Sequence, residues 1–263
     1  MKTEDVLSKV PAVTLGFWII KILATTFGET GGDAVTMSWL HADQDANNGG
    51  YLIGIEIFLG LFVAAVIAQM LTKKFHPWVY WTAIIASTTV GTVMADFADR
   101  SLGIGYTGGS AILLLCVLAS LALWRLTLGT VDVQTVTTAR AEIFYWVTIT
   151  FSQTLGTALG DWMADTSGLG FLGAAGVFAA ALVVIAAAYY ATSISRVLLF
   201  WAAFILTRPL GATLGDFLDK PRDDGGLDFS RPLATAIIGA LIVVCILVFP
   251  QRAGSHPGKA VPA

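Results

Sequence analysis

The sequence predicts an all-α polytopic membrane protein of about eight transmembrane helices, arranged as four two-helix repeats in a single transmembrane domain. Three observations carry this expectation. Of 263 residues, 56% are hydrophobic and only 13% charged, with a mean hydropathy of +0.76; a soluble domain carries roughly twice that charged fraction. Apolar runs long enough to cross a hydrocarbon core of about 30 Å as helices recur from end to end. One short motif returns at the same place in every second run.

The runs cover approximately 11–37, 51–71, 78–97, 110–128, 143–162, 171–192, 197–217 and 232–250. They group into repeats at about 11–75, 76–130, 139–194 and 195–252. The first ten residues are polar and of mixed charge, without the short apolar core and small-residue cleavage site of a secretory signal, so the first run is expected to persist in the mature protein. Residues 253–263, rich in Gly, Pro, Ser and Lys, read as a disordered tail.

Net charge is −3, which excludes the basic surface that nucleic-acid binding needs. Cys116 and Cys245 both lie inside apolar runs, and neither belongs to a CxxC pair or a disulfide framework. With the N-terminus inside, the inner segments hold nine Lys and Arg against four outside, leaving aside Lys21 and Arg208 within apolar runs. That asymmetry places both termini in the cytoplasm of a bacterial inner membrane.

The motif aligns without gaps in all four copies: Gly28-Glu-Thr-Gly-Gly32-Asp33, Gly91-Thr-Val-Met-Ala95-Asp96, Gly156-Thr-Ala-Leu-Gly160-Asp161 and Gly211-Ala-Thr-Leu-Gly215-Asp216. Residues four apart share a helix face, so Gly-x-x-x-small presents a strip along which another backbone can approach. An aspartate at membrane depth costs about 2.5–3.5 kcal/mol on insertion scales, and the chain places one at the same repeat position four times. If the four motif helices surround one axis, Asp33, Asp96, Asp161 and Asp216 gather at one level. Such a cluster binds protons, pairs with internal cations or holds a metal ion; a purely structural hydrogen-bonded cluster is the alternative.

No Cys or His stands beside the aspartates, so the ligand set favours hard ions, with Mg²⁺, Mn²⁺, Ca²⁺, Na⁺ and H⁺ open. Glu29 joins the set in the first copy. Thr26, Thr89, Thr154 and Gln153, about two turns further in, are candidate helpers. Lys21 and Arg208 sit at mid-depth, where the expectation is an ion pair with an aspartate or with Glu56, or a built-in counter-charge displaced by a transported cation. Asp99, Asp165 and Asp219 follow a turn later as a possible vestibule. The loop His41-Ala-Asp43-Gln-Asp45 is a weaker metal-attracting candidate, and Trp39, Trp78, Trp124 and Trp162 are expected as interfacial anchors.

These repeated Gly-Asp helices resemble a bacterial family of uncharacterised, membrane-anchored multi-pass proteins, a resemblance that covers most of the chain and implies no activity. Glu29-Thr-Gly-Gly-Asp33 also resembles the Glu-x-Gly-Asp motif of manganese and calcium exporters, with an extra glycine and no basic residue after the aspartate. The expected function is a divalent-cation transporter, in the exporting direction, with a passive channel as its nearest competitor. A Mg²⁺-dependent membrane transferase or hydrolase acting on a lipid-linked phosphate is an alternative, on the paired carboxylates Asp161/Asp165 and Asp96/Asp99. A structural or accessory membrane protein is another. The long smooth faces of the even-numbered helices also allow a homo-oligomer.

Overall fold

Each apolar run forms one helix, and local chemistry sets where most of them begin. The computed structural model describes residues 5–42, 44 and 49–257. Among these the long helices are α1 (Leu15–Asp33), α2 (Gly49–Leu71), α3 (Pro77–Asp96), α4 (Tyr106–Leu128), α5 (Ala139–Asp161), α6 (Gly170–Ala191), α7 (Arg196–Asp219) and α8 (Arg231–Val248). Thr14, Thr138 and Ser195 cap α1, α5 and α7 by accepting from the amides of Phe17, Ala141 and Leu198. Proline stands in the first turn of α3 and α8, where its missing N–H costs nothing.

The odd helices form a closed inner ring in the order α1, α3, α5, α7, and back to α1. Each even helix packs outside that ring, on the odd helix of the following repeat: α2 on α3, α4 on α5, α6 on α7, and α8 on α1. The unit that repeats in sequence, an odd helix with the even helix after it, is therefore not the unit that packs. Contact between the last helix and the first closes the circle.

Burial follows this two-layer plan. Within their apolar windows α3 and α7 are 67% buried, against 17–22% for α2, α4, α6 and α8. The even helices turn Leu115, Leu118, Val183, Leu241 and similar side chains outward, as lipid-facing helices do. Taken alone, six helices are long and apolar enough to cross a membrane. The two that fall short, α1 and α5, carry buried polar groups such as Lys21, Glu29, Ser152 and Gln153 on the inside of the ring.

The ring closes at the motif glycines. A Cβ on Gly28 would collide with Thr88, on Gly91 with Gln153, on Gly156 with Arg208, and on Gly211 with Thr25. Every partner lies three residues before the first glycine of its own repeat, so one contact is made four times around the circle. A second tier forms one turn later, where a Cβ on Gly32 would meet Thr92 at 3.2 Å and one on Gly160 would meet Ala212 at 3.3 Å. Hydrogen bonds between neighbours fasten the first tier: Thr88 Oγ1 donates to the Ala24 carbonyl and Thr25 Oγ1 to the Thr207 carbonyl, both at 3.1 Å.

At the end that holds both termini the ring is filled by aromatic side chains. Phe17-Trp18, Tyr80-Trp81, Tyr145-Trp146 and Phe200-Trp201 all stand eleven and ten residues before the first motif glycine. Their rings interlock around the circle, with Phe17–Trp81 at 5.6 Å, Tyr80–Trp146 at 6.2 Å, Tyr145–Trp201 at 6.4 Å and Phe17–Phe200 at 6.2 Å between centroids. The Tyr80 and Tyr145 hydroxyls share a 2.6 Å hydrogen bond inside this layer. Trp124 joins it edge-on to Trp201, so it is core and not the interfacial anchor expected from its position near a helix end. Trp39 and Trp78 are exposed and Trp162 is half-buried.

Two short strands cover the same end. β1 (Asp5–Pro11) and β2 (Ala253–Pro257) pair antiparallel, and Ser8 Oγ donates to the Val133 carbonyl at 3.0 Å. Lys9 Nζ reaches Glu142 at 2.7 Å. The tail expected from residue 253 is thus a strand as far as Pro257, and residues 258–263 lie outside the described ones.

We expect Gly156→Val to destabilise the protein by about 3 kcal/mol or more, because the new side chain has no room against Arg208 and its backbone. Gly176→Ala on α6, where a Cβ meets nothing within 4 Å, should be neutral or slightly stabilising. Thermal denaturation of both variants in detergent checks the contrast; equal stability would contradict the glycine-closed ring.

Candidate cation site on the ring axis

Closing four helices at glycine puts the side chains just beyond each contact onto the shared axis. Arg208, whose stem rests on Gly156, has no exposed surface and extends along that axis to the next tier. There its Nη2 donates to Glu29 at 2.9 Å, to Thr92 at 2.6 Å and to Thr157. Glu29, Thr92 and Thr157 each follow the first motif glycine of a different repeat, so one guanidinium from the fourth repeat engages the other three. Thr92 Oγ1 also lies 3.3 Å from Glu29 Oε2.

One tier further toward the opposite end stand the motif aspartates, all buried. Asp33 and Asp216, from the adjacent helices α1 and α7, approach Glu29 closely enough that one oxygen of each carboxylate lies within 4.8 Å of the others. Asp96 is within Coulombic reach of Glu29. Asp161 occupies the corresponding position on α5. Lys220 closes the tier, with Nζ 2.7 Å from Asp33 and 3.1 Å from Asp216. Arg231, at the start of α8, stands 4.0 Å from Asp33 and 3.9 Å from Asp219.

The local backbone sets up this tier differently in the fourth repeat. In the first three, the residue after the aspartate begins a π-helical turn, Ala34–Trp39, Phe97–Ser101 and Trp162–Thr166. Each is marked by a bond from an amide to the carbonyl five residues back: Leu40 to Val35, Leu102 to Phe97 and Ser167 to Trp162. The fourth remains α-helical to Asp219, and the loop after it folds back onto its last turn. Leu227 donates to the Phe217 carbonyl, Asp228 to Lys220 and Phe229 to Leu218. That fold-back requires glycine at 226, where a Cβ would strike the Lys220 carbonyl, and it holds Lys220 and Arg231 over the carboxylates.

Several expected helpers lie elsewhere. Thr26, Thr89 and Thr154 donate to carbonyls four residues back on their own helices, Ile22, Ile85 and Thr150. Gln153 is buried one tier nearer the termini and donates weakly to Ser87 Oγ at 3.4 Å. Glu56 is on the exposed side of α2, away from the ring, so the expected pairing with Lys21 or Arg208 is not made. Lys21 is buried and pairs with no carboxylate among the described residues; its ammonium lies 4.3 Å over the Phe204 ring. Asp219 is buried and Asp99 half-buried, whereas Asp165 is exposed. Asp43 and Asp45 of the loop candidate lie outside the described residues.

Sequence reasoning missed Thr92, Thr157, Lys220 and Arg231. For the first two the signal was available, since they follow the motif glycines directly. For Lys220 a partial one existed, because it stands four residues after Asp216 on the same face.

A ring of four helices with polar residues inside and apolar helices outside defines an all-α polytopic membrane protein with fourfold internal repetition. The chain belongs to the DUF347 family, a repeat of unknown function, which matches residues 16–75, 79–130, 144–195 and 199–252. Each matched segment spans one odd helix and the even helix after it. No curated protein and no solved structure matches the chain.

Replacing Arg208 by Met should cost about 3–5 kcal/mol, because Glu29 is left charged and unpaired in the interior. Adding Glu29→Gln should restore a large part of that loss. Thermal unfolding of the two single variants and the double variant forms the cycle; additive losses would contradict the pairing.

Proposed function

We propose that this protein transports a divalent metal cation of the Mn²⁺, Mg²⁺ or Ca²⁺ kind across the membrane, in the exporting direction, with Glu29, Asp33 and Asp216 as its oxygen ligands. The observation that carries this reading is the convergence of three buried carboxylates within 4.8 Å on the ring axis. Oxygens bound to a common hard cation at about 2.0–2.6 Å lie up to about 5 Å apart, so the spacing suits one ion. An all-oxygen set without Cys or His disfavours Zn²⁺, Cu⁺ and Ni²⁺.

Two further features fit transport. Arg208 and Lys220 already neutralise these carboxylates at 2.7–3.1 Å, as built-in cations that an arriving ion displaces. A site empty of charge compensation would be too costly to keep at membrane depth. The access is also unequal: the interlocked aromatic layer closes the ring toward the termini, while Lys220 and Arg231 retain partial exposure at the other end. Closure on one side describes a transporter better than an open channel. Glu29-Thr-Gly-Gly-Asp33, the segment that resembles the exporter motif, supplies two of the three carboxylates.

The same ion pairs favour a second reading, in which the carboxylates only lock the bundle. Metal-dependent stability separates the two. A cation that binds only the folded protein should raise its stability by about 2.7 kcal/mol at a hundredfold excess over Kd. We expect a selective, saturable rise in Tm with one of Mn²⁺, Mg²⁺ or Ca²⁺ and none with Na⁺, abolished in Asp33→Asn/Asp216→Asn. A folded wild type indifferent to every ion would favour the structural lock.

A further inference from the structure

The polar column continues past Arg208 toward the termini, and there its chemistry reverses sign. Lys21 enters the ring from α1 with no exposed surface and no hydrogen-bond partner for Nζ. Its ammonium lies over Phe204, which is one turn before Arg208 on the same face of α7. The two cations are therefore neighbours, within Coulombic reach of each other. Arg208 uses Nη2 for Glu29, Thr92 and Thr157, while its Nε and Nη1 have no partner.

Opposite them, α5 presents Thr148 and Ser152, fully buried and one turn apart, and neither hydroxyl has a partner. Gly156, one turn further along that face, is the residue on which the Arg208 stem rests, so this face of α5 looks toward Arg208. Lysine and arginine supply donors and no acceptor, whereas each hydroxyl can both donate and accept. The unpartnered side-chain acceptors in the layer, the Ser152 and Thr148 hydroxyls and Gln153 Oε1, are all neutral, so none of them compensates the two positive charges. Glu29 lies beyond Arg208 on the other side, and Lys21 forms no ion pair with any described carboxylate. Two adjacent buried cations with unused N–H groups and two idle hydroxyls make an anion site: leaving such groups unmatched costs several kcal/mol.

We propose that this layer binds a halide-sized monovalent anion between Lys21 and Arg208, with the Ser152 hydroxyl completing its shell. A compact anion suits a place bounded by fully buried side chains. The anion and Glu29 then compensate Arg208 from its two sides. The site shares Arg208 with the carboxylate cluster, while Lys21 and Ser152 lie outside that cluster.

The test uses the full-length protein in detergent with divalent ions chelated, so that its outcome is independent of the cation site. Melting is followed as sodium gluconate is exchanged for sodium chloride or bromide at constant ionic strength. We expect a saturable rise of several degrees in chloride and in bromide, absent in Lys21→Gln. Bromide-soaked crystals of the wild type, which need no variant, should show an anomalous peak between Lys21 Nζ and Arg208. Identical wild-type melting in gluconate and chloride, with no bromide peak, would overturn the proposal and leave a neutral Lys21 amine among waters.

Discussion

Four helices can close around one line only where their backbones come nearer than ordinary side chains permit. In this chain that approach is made at Gly28, Gly91, Gly156 and Gly211, each against the residue three before the corresponding glycine of the next repeat. The rest of the architecture depends on this contact. It makes a ring narrow enough for side chains from different repeats to meet, and it decides which positions lie on the axis. It also leaves the even helices outside, where their apolar surfaces meet lipid.

Repetition supplies the scaffold, and departures from repetition supply the chemistry. At the position three before the first glycine, the four copies hold Thr25, Thr88, Gln153 and Arg208; at the position after it they hold Glu29, Thr92, Thr157 and Ala212. An Arg and a Glu from neighbouring helices, each present once at these positions, therefore meet inside a ring that is otherwise nearly symmetric. Had every copy kept an arginine, four guanidiniums would share one axis, which electrostatics forbids. The fourth repeat also lacks the π-helical turn of the other three, and its loop delivers Lys220 and Arg231 onto Asp33, Asp216 and Asp219. Buried pairs of this kind are poor sources of stability, since desolvation offsets much of the attraction. In the proposed transport these pairs act as a charge system that responds to a ligand.

Much of this was legible in the sequence because it rests on local periodicity. The eight runs, the Gly-x-x-x-small strip and the aspartate after it are read directly, and the structure places the strip at the helix contacts it implies. The aromatic pair ahead of each motif is just as regular, at eleven and ten residues before each glycine, but its members vary among Phe and Tyr, and tryptophan near a helix end invites an interfacial reading. What could not be read depends on distant partners. The even helices pack on the odd helix of the next repeat, and nothing within a single repeat encodes that. β1 and β2 have a mixed composition and find each other from opposite ends of the chain. Lys220 and Arg231 look like ordinary loop charges until the backbone fold-back at Gly226 brings them over the carboxylates.

In the proposed transport the axis is one charge-compensated column, in which an arriving cation takes the place of a cationic side chain at Glu29, Asp33 and Asp216. Flux of divalent cations in liposomes containing the purified protein tests this most directly. The wild type should show saturable, ion-selective flux that is lost in Asp33→Asn/Asp216→Asn and retained in a control such as Glu56→Gln on the exposed side of α2. Flux undiminished in the double variant, or absent for every ion with the folded wild type, would contradict it.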